Sequence, residues 1–71
     1  MKSETITVKA NGEARYAAAG STLPEFLAEL GLAVGRVVVE RNGAPLTPTE
    51  ARKTVLAEGD RLEIVKIVAG G

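Results

Sequence analysis

A chain of 71 residues, 45 % apolar and 25 % charged, suffices for one folded domain and lies far from the composition of disordered proteins. Nine basic side chains balance nine acidic ones with no block of either sign, and one Tyr and one Phe make no stacking platform, which argues against a nucleic-acid binder. The absence of Cys and His excludes disulfides, thiolate zinc sites and the Ser-His-Asp and Cys-His forms of nucleophilic catalysis.

In Thr5–Ala10, the apolar residues Ile6, Val8 and Ala10 alternate with polar ones, the period of a strand with one buried face. Asn11-Gly12 follows, a pair suited to the positive φ angles of a type I′ turn, so Glu13 to Ala17 is expected to return as the second arm of a hairpin. Thr22-Leu23-Pro24-Glu25 fits a capping box. It predicts a short helix on which Leu23, Phe26, Leu27 and Leu30 form one stripe and Gly31 supplies the left-handed cap. Gly31 and Gly35 then lie in a connection. Val37 to Arg41 is β-branched and meets a second Asn-Gly, Asn42-Gly43, after which Ala44-Pro45-Leu46 makes only a brief return because Pro45 donates no ladder bond. Thr47-Pro48-Thr49-Glu50 repeats the cap pattern, predicting one or two helical turns over Thr49 to Thr54. Glu58-Gly59-Asp60 reads as a turn, and Arg61 to Val68 as a last strand with Leu62 and Ile64 facing inward. The element order implies an α+β fold, one sheet with a helix across one face. Residues 1–67 are expected to form the domain and residues 68–71 a flexible tail. No apolar run nears the roughly 18 to 20 residues of a membrane span, and the N-terminus lacks a signal-peptide pattern, so the chain is expected to be cytoplasmic.

Side chains offer little chemistry. Glu58 and Asp60 could in principle hold a cation, but acidic residues flanking Gly are ordinary turn composition. No glycine-rich phosphate loop is present. The terminus offers more, because Val68-Ala69-Gly70-Gly71 leaves a strand and sheds its side chains at the tip. Two glycines allow a carboxylate to thread a narrow channel. With a pKa of about 3.3 to 3.7, an α-carboxylate is an anionic oxygen nucleophile at neutral pH. Attack on the α-phosphate of ATP would give an acyl-adenylate, which a sulfur donor or an amine could open.

Four segments carry a resemblance that covers nearly the whole chain: VKANGE at 8–13, GSTLPEFLAELGL at 20–32, VVVERNGAPL at 37–46 and VLAEGDRLEIVKIVAGG at 55–71. They resemble the ThiS family, the small sulfur carriers of thiamine biosynthesis, related to MoaD-type carriers. The resemblance implies a ubiquitin-like β-grasp with a mixed four- to five-stranded sheet, and a role without catalysis of its own. It also implies that an E1-like adenylyltransferase of the ThiF type, using its own ATP, activates Gly71. A sulfur donor such as a cysteine desulfurase or rhodanese would then supply the sulfur of a thiocarboxylate, and a thiazole synthase of the ThiG type would take it. Gly70 and Gly71 are the residues that carry over. Many family members have Pro-Arg and often Trp after the third strand, where this chain has Thr47-Pro48-Thr49-Glu50-Ala51.

Sister readings share this chemistry: a carrier for molybdopterin or tRNA thiolation, a ubiquitin-like modifier linked through Gly71 to lysines, or an interaction module with an incidental tail. If Leu62 and Ile64 face the core, Val65 and Ile67 lie on the other face, beside Val38. Those three aliphatics are the candidate partner-binding surface, unless a bulge returns them to the core.

Overall fold

The alternation of Ile6, Val8 and Ala10 with polar residues produces the first strand, β1 (Thr5–Ala10), of the computed structural model, which describes residues 4–68. Asn11 at φ 53° and Gly12 at φ 84° turn the chain back into β2 (Glu13–Ala18), antiparallel to β1 with Val8 opposite Arg15. The first helix, α1 (Leu23–Glu29), opens on the complete capping box: the Thr22 hydroxyl accepts from the Glu25 N–H at 3.3 Å, and the Glu25 carboxylate accepts from the Thr22 N–H at 2.9 Å. It closes through Gly31 at φ 78°, whose N–H donates to Ala28 O (3.0 Å) while the Leu32 N–H donates to Leu27 O (2.8 Å), the two bonds of a Schellman cap. Leu23, Phe26 and Leu27 of this helix are buried.

A 3₁₀ turn at Val34–Arg36 follows, unforeseen because no side chain caps it. Next, β3 (Val37–Arg41) and β4 (Ala44–Leu46) form the second hairpin, again through an Asn-Gly pair with both φ angles positive. The second helix, α2 (Pro48–Lys53), starts one residue before the expected Thr49, because Thr47 is its cap and Glu50 completes a second capping box. Finally, β5 (Arg61–Lys66) runs down the middle of the sheet. It stops two residues short of the expected Val68. Its ladder partner β3 begins at Val37, opposite Lys66, and past that pair the Ile67 N–H donates to Arg36 O (2.9 Å), outside the ladder.

The strand order is β2-β1-β5-β3-β4, with β1 and β5 parallel and the other pairs antiparallel. This is a mixed five-stranded sheet with a helix across one face, the ubiquitin-like β-grasp. Leu23 and Leu27 of α1 and Val8 and Leu62 of the central strands are its most completely buried side chains, each stabilising the fold by about 2 kcal/mol before entropy is counted. Among the described residues, no helix is long and apolar enough to cross a membrane.

Candidate functional site

The strand that leads to the terminus is gripped by both hairpin turns. Beyond Ala10, β1 has no further residues to pair with β5, and the Asn11 side chain takes over: its Oδ1 accepts from the Ile64 N–H at 2.7 Å and its Nδ2 donates to Ile64 O at 3.0 Å. A carboxamide carries one acceptor and two donors, so it can replace a peptide group in a ladder, which a carboxylate cannot. At the other end of β5, Asn42 Oδ1 accepts from the Arg61 N–H at 2.8 Å and its Nδ2 donates to Asp60 at 3.1 Å. Sequence reasoning gave both asparagines only their turn role.

Among the described residues, Asp60 is the one buried charge, 4 % exposed. Its Oδ2 accepts from Arg41 Nε at 3.0 Å and from the Ala57 N–H at 2.9 Å, and Arg41 in turn donates to Val55 O. Burial by itself raises the Asp60 pKa, but the Ala57 N–H, the Arg41 and Asn42 side chains and the charge of Arg41 outweigh it, holding the carboxyl below the usual carboxylate range. Glu58 turns away from this network and accepts from the Thr7 N–H at 3.0 Å. Among the described residues no cluster of three potential ligands for a metal ion occurs. Through its bonds to Arg41 and Asn42, Asp60 tethers the second hairpin to the start of β5.

The aliphatic side chains Val38, Val65 and Ile67 lie at the surface, 50, 63 and 55 % exposed. Val38 stands directly opposite Val65 across the β3–β5 ladder, on the sheet face away from α1. No bulge interrupts that register, and Leu62 and Ile64 alternate inward at 1 and 8 % exposure. Next along the same face, Glu40 stands opposite Glu63, a like-charge pair, and both are exposed. The sheet thus presents a small apolar patch bordered by carboxylates, at the end of β5 from which the chain leaves. Gly70 and Gly71, the predicted reactive terminus, lie outside the described residues.

A sequence model of the ThiS family matches residues 8–71. Over 66 residues, 93 % of this chain, the sequence is 41 % identical to a thiazole synthase of Magnetococcus marinus, and over 61 residues, 86 % of this chain, it is 38 % identical to a thiazole synthase of Paramagnetospirillum magneticum. The chain spans only about a fifth of the length of these curated relatives, 20 % and 19 % respectively. Among solved structures it is similar to the crystal structure of the thiamine biosynthesis protein ThiS from Geobacter metallireducens. That match has a TM-score of 0.76 and 28 % sequence identity, and covers 93 % of this chain and 100 % of the other.

Proposed function

The chain belongs to the ThiS family, and we propose on that premise that it carries sulfur on the carboxylate of Gly71 for the building of a thiazole ring. The family makes it a sulfur carrier of thiamine biosynthesis. The observation that carries the finer reading is that the family match runs through both glycines to Gly71, in a chain with no Cys or His to act as a nucleophile or base.

The chemistry follows from the terminal group. One carboxylate oxygen of Gly71 attacks the α-phosphorus of ATP in an E1-like adenylyltransferase, and pyrophosphate leaves. The acyl-adenylate is a mixed anhydride. The terminal sulfur of a persulfide on a cysteine desulfurase or rhodanese attacks its carbonyl carbon and AMP departs; a thiol reductant then cleaves the resulting acyl disulfide, leaving a disulfide on the donor side and a thiocarboxylate on Gly71. A thiazole synthase then takes that sulfur. Two relatives in which a segment like this chain forms part of a polypeptide called thiazole synthase support this acceptor over a molybdopterin or tRNA pathway.

The domain's part in this scheme is presentation. Val38, Val65 and Ile67 form the face on which the activating enzyme docks, and glycines at the tip let main chain pass where side chains would not. Incubation of the chain with the adenylyltransferase, ATP and a sulfide source should replace one oxygen by sulfur in the intact mass, with the change confined to the C-terminal peptide. An unaltered mass under conditions in which ATP is consumed would refute the reading.

A further inference from the structure

The root of the tail has two sides of different character. On the open face of the sheet it is apolar, through Val65 opposite Val38. On the helix side lies a concavity of about 490 Å³ at the C-terminal end of α1, lined by Gly31, Leu32, Ala33, Arg36, Lys66 and Ile67. Arg36 and Lys66 are both exposed. Neither belongs to an ion pair among the described residues, where the two pairs are Arg15 with Glu13 and Arg41 with Asp60. Their positions are fixed by the backbone: Lys66 is the last ladder residue of β5, and the carbonyl of Arg36 holds the Ile67 N–H.

Reach determines what must come near them. Gly71 lies four residues past Ile67, so the carboxylate extends at most about 14 Å from the root. A protein that brings this carboxylate against a nucleotide inside itself must press the mouth of its channel against the root. Arg36 and Lys66 therefore sit where that mouth arrives. The tail is anionic and so is ATP, so the approach of one to the other is opposed by like charge. Two cations at the base of the tail offset this repulsion if the facing rim is acidic.

From this we infer that Arg36 and Lys66 form a cationic collar that recognises carboxylate side chains on the rim of the activating enzyme's tail channel and steers the tail into it. The inference rests on the proposed function and adds a recognition surface to it. A competing account is that the two cations merely complement the C-terminal end of the α1 dipole. That account is separable, because a dipole partner affects folding stability whereas a steering charge affects the encounter rate and its dependence on salt.

The test is ATP–pyrophosphate exchange catalysed by the adenylyltransferase, with the carrier as variable substrate, over a series of salt concentrations. For the double variant R36E/K66E at low salt, kcat/KM should fall about tenfold or more with kcat little changed. The gap should close as salt is raised, and R36K/K66R should restore the wild-type value. Thermal melts of each variant report the dipole contribution separately. A double variant with wild-type kcat/KM and salt dependence overturns the inference, as does a loss that is equal at all salt concentrations. A defect confined to sulfur transfer onto the thiazole synthase, with exchange intact, places the acidic partner there and also overturns it. If the wild-type chain supports no exchange, the proposed function falls and this inference with it; if it does and the variants are unaffected, only this inference falls.

Discussion

Replacing Asp60 by Ala removes the acceptor at the centre of the second hairpin's attachment. Three donors lose their partner: the Arg41 guanidinium, the Asn42 amide and the Ala57 N–H. Breaking a buried ion pair from one side costs about 3 to 5 kcal/mol. The Arg41 side chain is 29 % exposed and keeps its bond to Val55 O, so it recovers some hydration and the low end, about 3 kcal/mol, applies. A domain of this size has roughly 4 to 10 kcal/mol in all. The loss is therefore a large share of its stability and lowers Tm by at least about 12 °C. Urea unfolding followed by far-ultraviolet circular dichroism is the suitable assay, since the chain has no Trp and its one Tyr, Tyr16, is 72 % exposed. A pH series adds a second check. The folded-state pKa of Asp60 is depressed, so its stabilisation is complete above the unfolded value of about 3.9 and disappears as pH falls through the folded value. The gap between the wild type and Asp60→Asn should accordingly narrow under acid. A cost below about 1 kcal/mol for Asp60→Ala, or a gap to Asp60→Asn that persists unchanged to about pH 2, would refute the reasoning.

Gly31→Ala introduces a side chain at φ 78°, where no atom lies within 4 Å of the new Cβ, so strain alone should cost about 1 to 2 kcal/mol in the same assay, and a neutral result would mean the Schellman cap is dispensable. Glu40→Lys turns a like-charge pair with Glu63 into an opposite-charge one and should stabilise the fold by roughly 0.2 to 1 kcal/mol at low salt, an effect that 1 M salt should abolish; destabilisation would show that the two carboxylates are not in competition. Val65→Asp, at a position 63 % exposed, should leave the melting curve near that of the wild type while lowering kcat/KM for adenylation about tenfold; an unfolded product would identify the side chain as structural instead.

The local elements were legible in the sequence because each carries its own short-range signal. Both Asn-Gly turns adopt the expected left-handed pair of conformations, and both capping boxes close. The 3₁₀ turn at Val34–Arg36 has no such signal and was missed. Strand order was beyond reach. The parallel pairing of Lys9 with Arg61 joins residues far apart in the chain, and nothing in either segment names the other. Asp60 was read as part of a turn, which it adjoins, but its burial depends on Arg41 and Asn42 arriving from another hairpin. The exposure of Val65 was legible from its alternation with Leu62 and Ile64, and that of Val38 from its same-face neighbour Glu40, whereas their standing opposite one another follows from the β3–β5 register. Lys66 and Arg36 stood out only once the structure put a 3₁₀ turn and a strand end side by side.

Placing β5 between β1 and β3 has a consequence for how the molecule comes off the ribosome. The strand that fills the middle of the sheet is also the last to be synthesised of the eight described elements. Until it emerges, β1 and β3 have no common neighbour in the sheet, and the two hairpins share no ladder. A nascent or cleaved chain lacking β5 thus lacks both the finished sheet and the segment that leads to Gly71. An activating enzyme that accepts the tail only from a completed docking face would then receive only fully folded molecules.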